Sequence, residues 1–172
     1  FCFDHDTDSM GTCLYTLNID GCEFAKNTCS TTAVCYYANG SAATLNGNKF
    51  VNNTLNVSNG ATVYLGFKKN CTVTNNLFDG NTVTATSKRS AGGLMVGNAA
   101  VVTGNAFVNN TVTVNGETGY GNDVCASPYY AAIDLSGNYW GGGAPVEGDD
   151  YYKEYNNYEV IINDYLTANP FN

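Results

Sequence analysis

GNKFVNNT (47–54), NNLFDGNT (75–82) and GNAFVNNT (104–111) are variants of one octapeptide, and GCEFAKNT (21–28) is a fourth copy. A degenerate fifth copy, GNYWGGGA (137–144), follows them. Self-similarity of this kind marks a repeat architecture, in which each unit buries its apolar face only against its neighbours. Aligning Phe24, Phe50, Phe78, Phe107 and Trp140 gives steps of 26, 28, 29 and 33 residues. That drift suits coils closed by turns of variable length.

The columns around the aromatic define strands. Five residues before it stand Ile19, Leu45, Val73, Val102 and Leu135, and seven before it Leu17, Ala43, Cys71, Ala100 and Ile133. Apolar positions two apart, repeated coil after coil, make an inward-facing strand. Five and seven residues after the aromatic, the pairs Leu55/Val57, Val83/Ala85 and Val112/Val114 repeat that alternation, with Cys29/Thr31 in the first coil. A third strand per coil reads in ATVYLGF (61–67), GGLMVG (92–97) and YYAAI (129–133).

Between the first two strands the chain must turn. Three residues before the aromatic stand Gly21, Gly47, Asn75, Gly104 and Gly137, the residue types that tolerate positive φ. The next column is Cys22, Asn48, Asn76, Asn105 and Asn138, and three after the aromatic come Asn27, Asn53, Asn81 and Asn110. Stacked at the strand spacing of about 4.8 Å, each amide reaches its neighbour and forms an asparagine ladder. The aromatics stack in the same way. The expected fold is an all-β, right-handed parallel β-helix of about five coils. Residues 17–145 form the coils, 1–16 an N-terminal cap or degenerate coil, and 146–172 a Tyr-rich cap or connector.

Composition agrees. Charged residues are only 13% of the chain, and Asn, Gly and Thr are abundant, which favours strands and tight turns. With 15 acidic residues against 7 basic, the net charge of −8 argues against nucleic acid as a partner. No apolar run approaches the roughly 18 residues of a membrane span, so direct insertion is not expected. The basic residues Lys68, Lys69, Lys88 and Arg89 read as solubilising turn residues. Seven cysteines (2, 13, 22, 29, 35, 71 and 125) fit no zinc spacing. Several fall at interior positions, where Cys acts as a small hydrophobe, and a disulfide is plausible only near Cys2 and Cys13. The start at Phe1 suggests a mature product or a piece of a longer precursor.

Within the octapeptide copies the motif FxxN occurs four times, at Phe24/Asn27, Phe50/Asn53, Phe78/Asn81 and Phe107/Asn110, with GGLM at 92–95. Paired motifs of this type resemble the polymorphic outer-membrane adhesins of chlamydiae. The closing IDLSGNYWGGGAP (133–145) resembles the final coil of adhesin-like β-helical proteins of gut bacteria and methanogenic archaea. The similarity covers residues 17–145. It implies a secreted or cell-surface location and an adhesive or scaffolding role, with no cofactor and no catalytic residues.

Catalytic chemistry finds little support in the residues. A polysaccharide lyase or hydrolase needs clustered carboxylates. Asp20, Asp79 and Asp134 instead stand at different offsets from the aromatic. The single Arg is Arg89 and the single His is His5, in an acidic N-terminal stretch. There Asp4, Asp6 and Asp8 alternate as at the start of a calcium loop, with Ser9 in place of Gly and Tyr15 in place of the bidentate Glu. Five N-x-S/T sequons (Asn39, Asn52, Asn56, Asn70, Asn109) are potential glycosylation acceptors. The candidate binding surface is the loop VNGETGYGNDVCASPYY (114–130), with Tyr120, Tyr129 and Tyr130 as contacts. Expected partners are a glycan, a cell-surface protein or another copy of the chain.

Overall fold

The computed structural model describes residues 2–3, 16–37, 42–66, 71–97, 99–118 and 120–172. Among them no helix forms, and the strands stack in parallel into a β-solenoid of about five turns. Each of the first four coils visits four sheets. The first holds Thr16–Asp20, Ala42–Asn46, Cys71–Thr74, Val101–Thr103, Ile133–Asp134 and Val160–Ile161. The second, short and aromatic, holds Glu23–Ala25, Lys49–Val51, Leu77–Asp79, Ala106–Val108, Asn138–Trp140 and Tyr165–Leu166. The third is Thr28–Cys29, Thr54–Val57, Thr82–Ala85 and Thr111–Val114. The fourth is Cys2–Phe3, Cys35–Tyr37, Gly60–Leu65, Ser90–Gly97, Val124–Ser127 and Tyr151–Lys153.

The sequence columns are the observed registers. Leu17 pairs with Ala43 and Ile19 with Leu45, while Phe24 pairs with Phe50, Phe50 with Phe78 and Phe78 with Phe107. Successive phenylalanine rings stack at 5.0 Å, and Trp140 continues the column 4.9 Å from Phe107. These rings and the first-sheet residues form one continuous core. A second apolar cluster, Leu55, Val57, Val83, Ala85, Val112 and Val114, lines the third sheet.

Two expectations change. The aromatic does not sit in a turn but at the centre or end of its own strand, so a coil has four strands rather than three. The reason is a second left-handed corner, two residues after the aromatic: Lys26, Asn52, Gly80, Asn109 and Gly142 have φ of 57°, 53°, 65°, 54° and 103°. With Gly21, Gly47, Asn75, Gly104 and Gly137 also at positive φ, each aromatic segment is bounded by two sharp bends and runs extended between them. The third strand read at YYAAI (129–133) is also misplaced. Val124–Ser127 pairs with the strand before it, Leu94 against Val124 through Gly97 against Ser127. Pro128 follows, without an N–H to continue the ladder, and Tyr129 begins the turn.

Two ladders of asparagines hold the corners. The Asn48 side-chain amide donates to Asn76 Oδ1, Asn76 to Asn105 and Asn105 to Asn138, each at 2.9 Å. The same amides donate back to the carbonyls of Ile19, Leu45 and Val73, so each side chain ties three successive coils. Backbone N–H groups share the acceptors: Cys22 N donates to Asn48 Oδ1 and Asn48 N to Asn76 Oδ1. The second ladder runs Asn27 to Asn53 to Asn81 to Asn110 at 2.8–2.9 Å. Asn48, Asn53, Asn76, Asn81, Asn105 and Asn138 are wholly buried, which is tolerable only because their amides are satisfied.

Residues 146–172, expected as a cap or connector, contribute a strand to three of the four sheets. The third sheet receives none after Thr111–Val114. There Asn122 Oδ1 accepts from Val112 N at 3.1 Å, and the buried Asp123 accepts from Asn110 at 2.9 Å. The loop 114–130 is therefore partly interior: it closes one sheet, ends one ladder and supplies a strand of another. It is not a detachable display loop.

Candidate functional site

In the fourth sheet the strands Gly60–Leu65, Ser90–Gly97 and Val124–Ser127 are buried on both faces. Val63, Leu94 and Val124 enter the central column, while Tyr64, Met95 and Cys125 form a separate cluster with Ala33, Ala61 and Ala91. Two-sided burial explains the unbroken apolar runs of its strands. Cys35 and Cys71 lie in the core, where burial pushes each thiol up to about 11; burial likewise raises Cys125. They serve as small hydrophobes rather than nucleophiles. The candidate disulfide partners Cys2 and Cys13 have no described side chains.

From the ends of that sheet, two turns project side by side. The turn 128–132 follows Val124–Ser127, and the turn 154–159 follows the neighbouring strand Tyr151–Lys153. They are stapled together: Glu154 N donates to Ala126 O at 2.9 Å, and Asn157 Nδ2 to Tyr129 O at 3.3 Å. The Glu154 carboxylate accepts from the Ser127 hydroxyl and pairs with Arg89 at 3.3 Å. Arg89 is thus a tie to the last coil rather than a solubilising turn residue.

These turns carry a tyrosine corner. Tyr129 meets Tyr130 edge to face, with ring centroids 4.5 Å apart, and Tyr155 in the same manner at 5.1 Å. Tyr129, Tyr130 and Tyr158 are 42%, 65% and 47% exposed. A hydrogen bond to Glu154, with burial second, holds the Tyr155 hydroxyl above its ordinary pKa. Tyr120 stands apart from this corner. Its hydroxyl donates to Glu117 at 2.7 Å, Lys88 Nζ lies 4.4 Å from its ring centroid, and it packs against the third-sheet cluster. The structure therefore brings two of the three tyrosines expected as contacts together and adds Tyr155. Tyr155 lies past the last recognisable repeat, and only the pairing of Val124–Ser127 with Tyr151–Lys153 brings it beside Tyr129.

Other sequence candidates scatter. Asp20 accepts from Asn46, Asp79 from Asn109 and Asp134 from Ser136 N, each through its own local partner. Asp4, Asp6, Asp8, His5, Lys68, Lys69, Asn39 and Asn70 lie outside the described residues. Among the sequon asparagines, Asn52, Asn56 and Asn109 are exposed. The aromatics Phe24, Phe50, Phe78, Phe107 and Trp140 and the asparagines Asn48, Asn76, Asn105 and Asn138 hold the column together. No protein-family model, curated protein or solved structure matches this chain.

Proposed function

We propose that this chain is a non-catalytic secreted or cell-surface solenoid with an adhesive or structural role, its turns presented from a rigid stack. The observation that supports this reading is the tyrosine corner. Six large apolar side chains among the described residues are exposed, and three of them, Tyr129, Tyr130 and Tyr158, stand on two stapled turns. Exposed apolar residues gathered in one place mark interaction surfaces, whereas scattered ones need no explanation. The resemblance of the FxxN repeats and the closing coil to adhesin-like proteins points the same way. The test is retention of beads coated with the full chain on intact cell surfaces, compared with beads carrying Tyr129→Ala/Tyr130→Ala. Retention that depends on the two tyrosines is expected; retention no better than that of uncoated beads defeats the adhesive role.

A second reading, a subunit of an end-to-end filament, has its own support. Leu17 and Phe24 at one end of the core and Val160 and Ile162 at the other are only partly covered. Stacking of one copy's first coil on another's last coil would cover both, and a heterologous contact that does not close makes fibres. Light scattering after size exclusion, with negative-stain microscopy of the same sample, distinguishes the two. Monomers at high concentration remove the filament reading.

A further inference from the structure

We infer that the corner formed by Tyr129, Tyr130 and Tyr155 is a binding site for a neutral glycan, an inference that rests on the adhesive reading above. The corner is built before any ligand arrives. Tyr129 makes edge-to-face contacts with the Tyr130 and Tyr155 rings, Tyr129 N donates to Ser127 O at 2.9 Å, and the neighbouring turn is pinned by Glu154 N and by Asn157. Rings already fixed in place lose little freedom on binding, so more of the contact energy appears as affinity.

Its chemistry is mixed in the way a sugar requires. A pyranose offers an apolar face of C–H bonds and a rim of hydroxyls. The tyrosines offer apolar ring faces with hydroxyl tips, and the exposed Asn156 and Asn157 add amide donors and acceptors beside them. Size favours a small ligand. Three rings on two turns fall well short of the roughly 800 Å² per partner of a stable protein interface. Charge selects a neutral one: residues 146–172 hold six acidic residues and one Lys, and Arg89 is already paired with Glu154. Sialylated, sulfated or uronic glycans would meet a field of their own sign.

The full chain is tested on an array of neutral, sialylated and sulfated oligosaccharides. Soluble N-acetylchitotriose, mannotriose and lactose are titrated by NMR in parallel. Binding of at least one neutral oligosaccharide is expected. Tyr130→Ala weakens it by about tenfold or more at an unchanged unfolding midpoint, while Tyr130→Phe retains most of it. Binding confined to anionic glycans, neutral binding indifferent to Tyr130→Ala, or no neutral ligand at all overturns the inference. Bead retention separates this failure from that of adhesion. Tyrosine-dependent retention that survives enzymatic deglycosylation of the target surface leaves adhesion standing and replaces the glycan with a protein partner. Loss of all retention by the wild-type beads removes both.

Discussion

Asn110 donates its side-chain amide to the carboxylate of Asp123 at 2.9 Å, so the second asparagine ladder ends on an acid rather than on another amide. Asp123 is reached from a different part of the coil, 16 residues beyond Phe107, and occupies the place that the next asparagine would fill. Burial pushes its carboxyl up to about 7, against the pull of the Asn110 hydrogen bond and with Asp150 and Asp149 adding repulsion.

That placement sets a pH dependence. The folded pKa lies above the ordinary carboxyl value of about 3.9, so between the two the folded chain holds a proton that the unfolded chain has lost. This group's contribution to stability therefore falls as pH rises from about 4 to about 7 and is level above that. Asp123→Asn keeps an acceptor for Asn110 and removes the charge. Urea unfolding should find it more stable than wild type near pH 8, by on the order of 1–3 kcal/mol, with the two drawing together near pH 4.5. Asp150 is also raised by burial and repels Asp123, so removing the Asp123 charge relieves Asp150 as well, in the same direction. Parallel pH profiles for the two proteins would remove Asp123 from this role.

Asn76 sits at the middle of the first ladder and its loss should be felt in three coils. Its Oδ1 accepts from both Asn48 N and Asn48 Nδ2, and its Nδ2 donates to Asn105 Oδ1, Leu45 O and Thr74 O. Asn76→Ala leaves several of those groups buried without partners, at about 1–3 kcal/mol for each. A loss above about 3 kcal/mol in denaturant unfolding is expected. Asn56→Ala, on the outward face of the third sheet, should stay within about 0.5 kcal/mol of wild type. Equal effects at the two positions would mean that the ladder carries no special stability.

The parts of this architecture visible in the sequence are those written in single-residue signals. The column Ile19, Leu45, Val73 alternates with polar residues, and the ladder asparagines recur at fixed distance from an aromatic. Both patterns follow directly from strand geometry and stacking. The second corner was missed because its first occupant is Lys26, a poor residue for positive φ, which masks the Asn and Gly that follow it down the column. Val124–Ser127 was missed because VCAS carries little strand preference of its own. Only its register against Leu94–Gly97 defines it. Tyr155 and Asp123 needed the three-dimensional stack, since one lies past the last recognisable repeat and the other off every column.

The ring column gives a contrast between its middle and its end. Phe78 is wholly buried between Phe50 and Phe107, and Phe78→Ala should cost about 3–5 kcal/mol through lost burial and a cavity. Trp140 ends the column with its indole Nε1 buried and without a hydrogen-bond partner among the described residues. Trp140→Phe extends the phenylalanine stack and removes that donor, whose desolvation costs about 1–3 kcal/mol, against the loss of some packed volume. The substitution should fall within about 1.5 kcal/mol of wild type by thermal or urea unfolding. A loss as large as that of Phe78→Ala would show that the indole's volume, not the stack, fixes this end.

Gly92 should tolerate no side chain at all, because it approaches the backbone of both the closing loop, at Asn122, and the third-sheet strand, at Thr111. Its N–H donates to Asn122 O at 2.8 Å, and a Cβ there would stand 2.6 Å from that oxygen, 2.7 Å from Thr111 N and 2.9 Å from Thr111 O. None of these atoms is the end of a flexible side chain, so relief requires moving the fourth-sheet strand itself, or both the loop that holds Asn122 and Asp123 and the third-sheet strand at Thr111. Because those two residues close the third sheet and end the second ladder, the disturbance passes from one sheet into two others. Gly92→Ala is expected to lose more than about 3 kcal/mol, whereas Gly143→Ala, with nothing within 4 Å and no positive φ, should remain within about 0.5 kcal/mol. Circular dichroism and urea midpoints of the two variants decide it. A Gly92→Ala chain as stable as Gly143→Ala would mean that the loop and the strand at Thr111 both yield freely, and that this contact does not hold the stack closed.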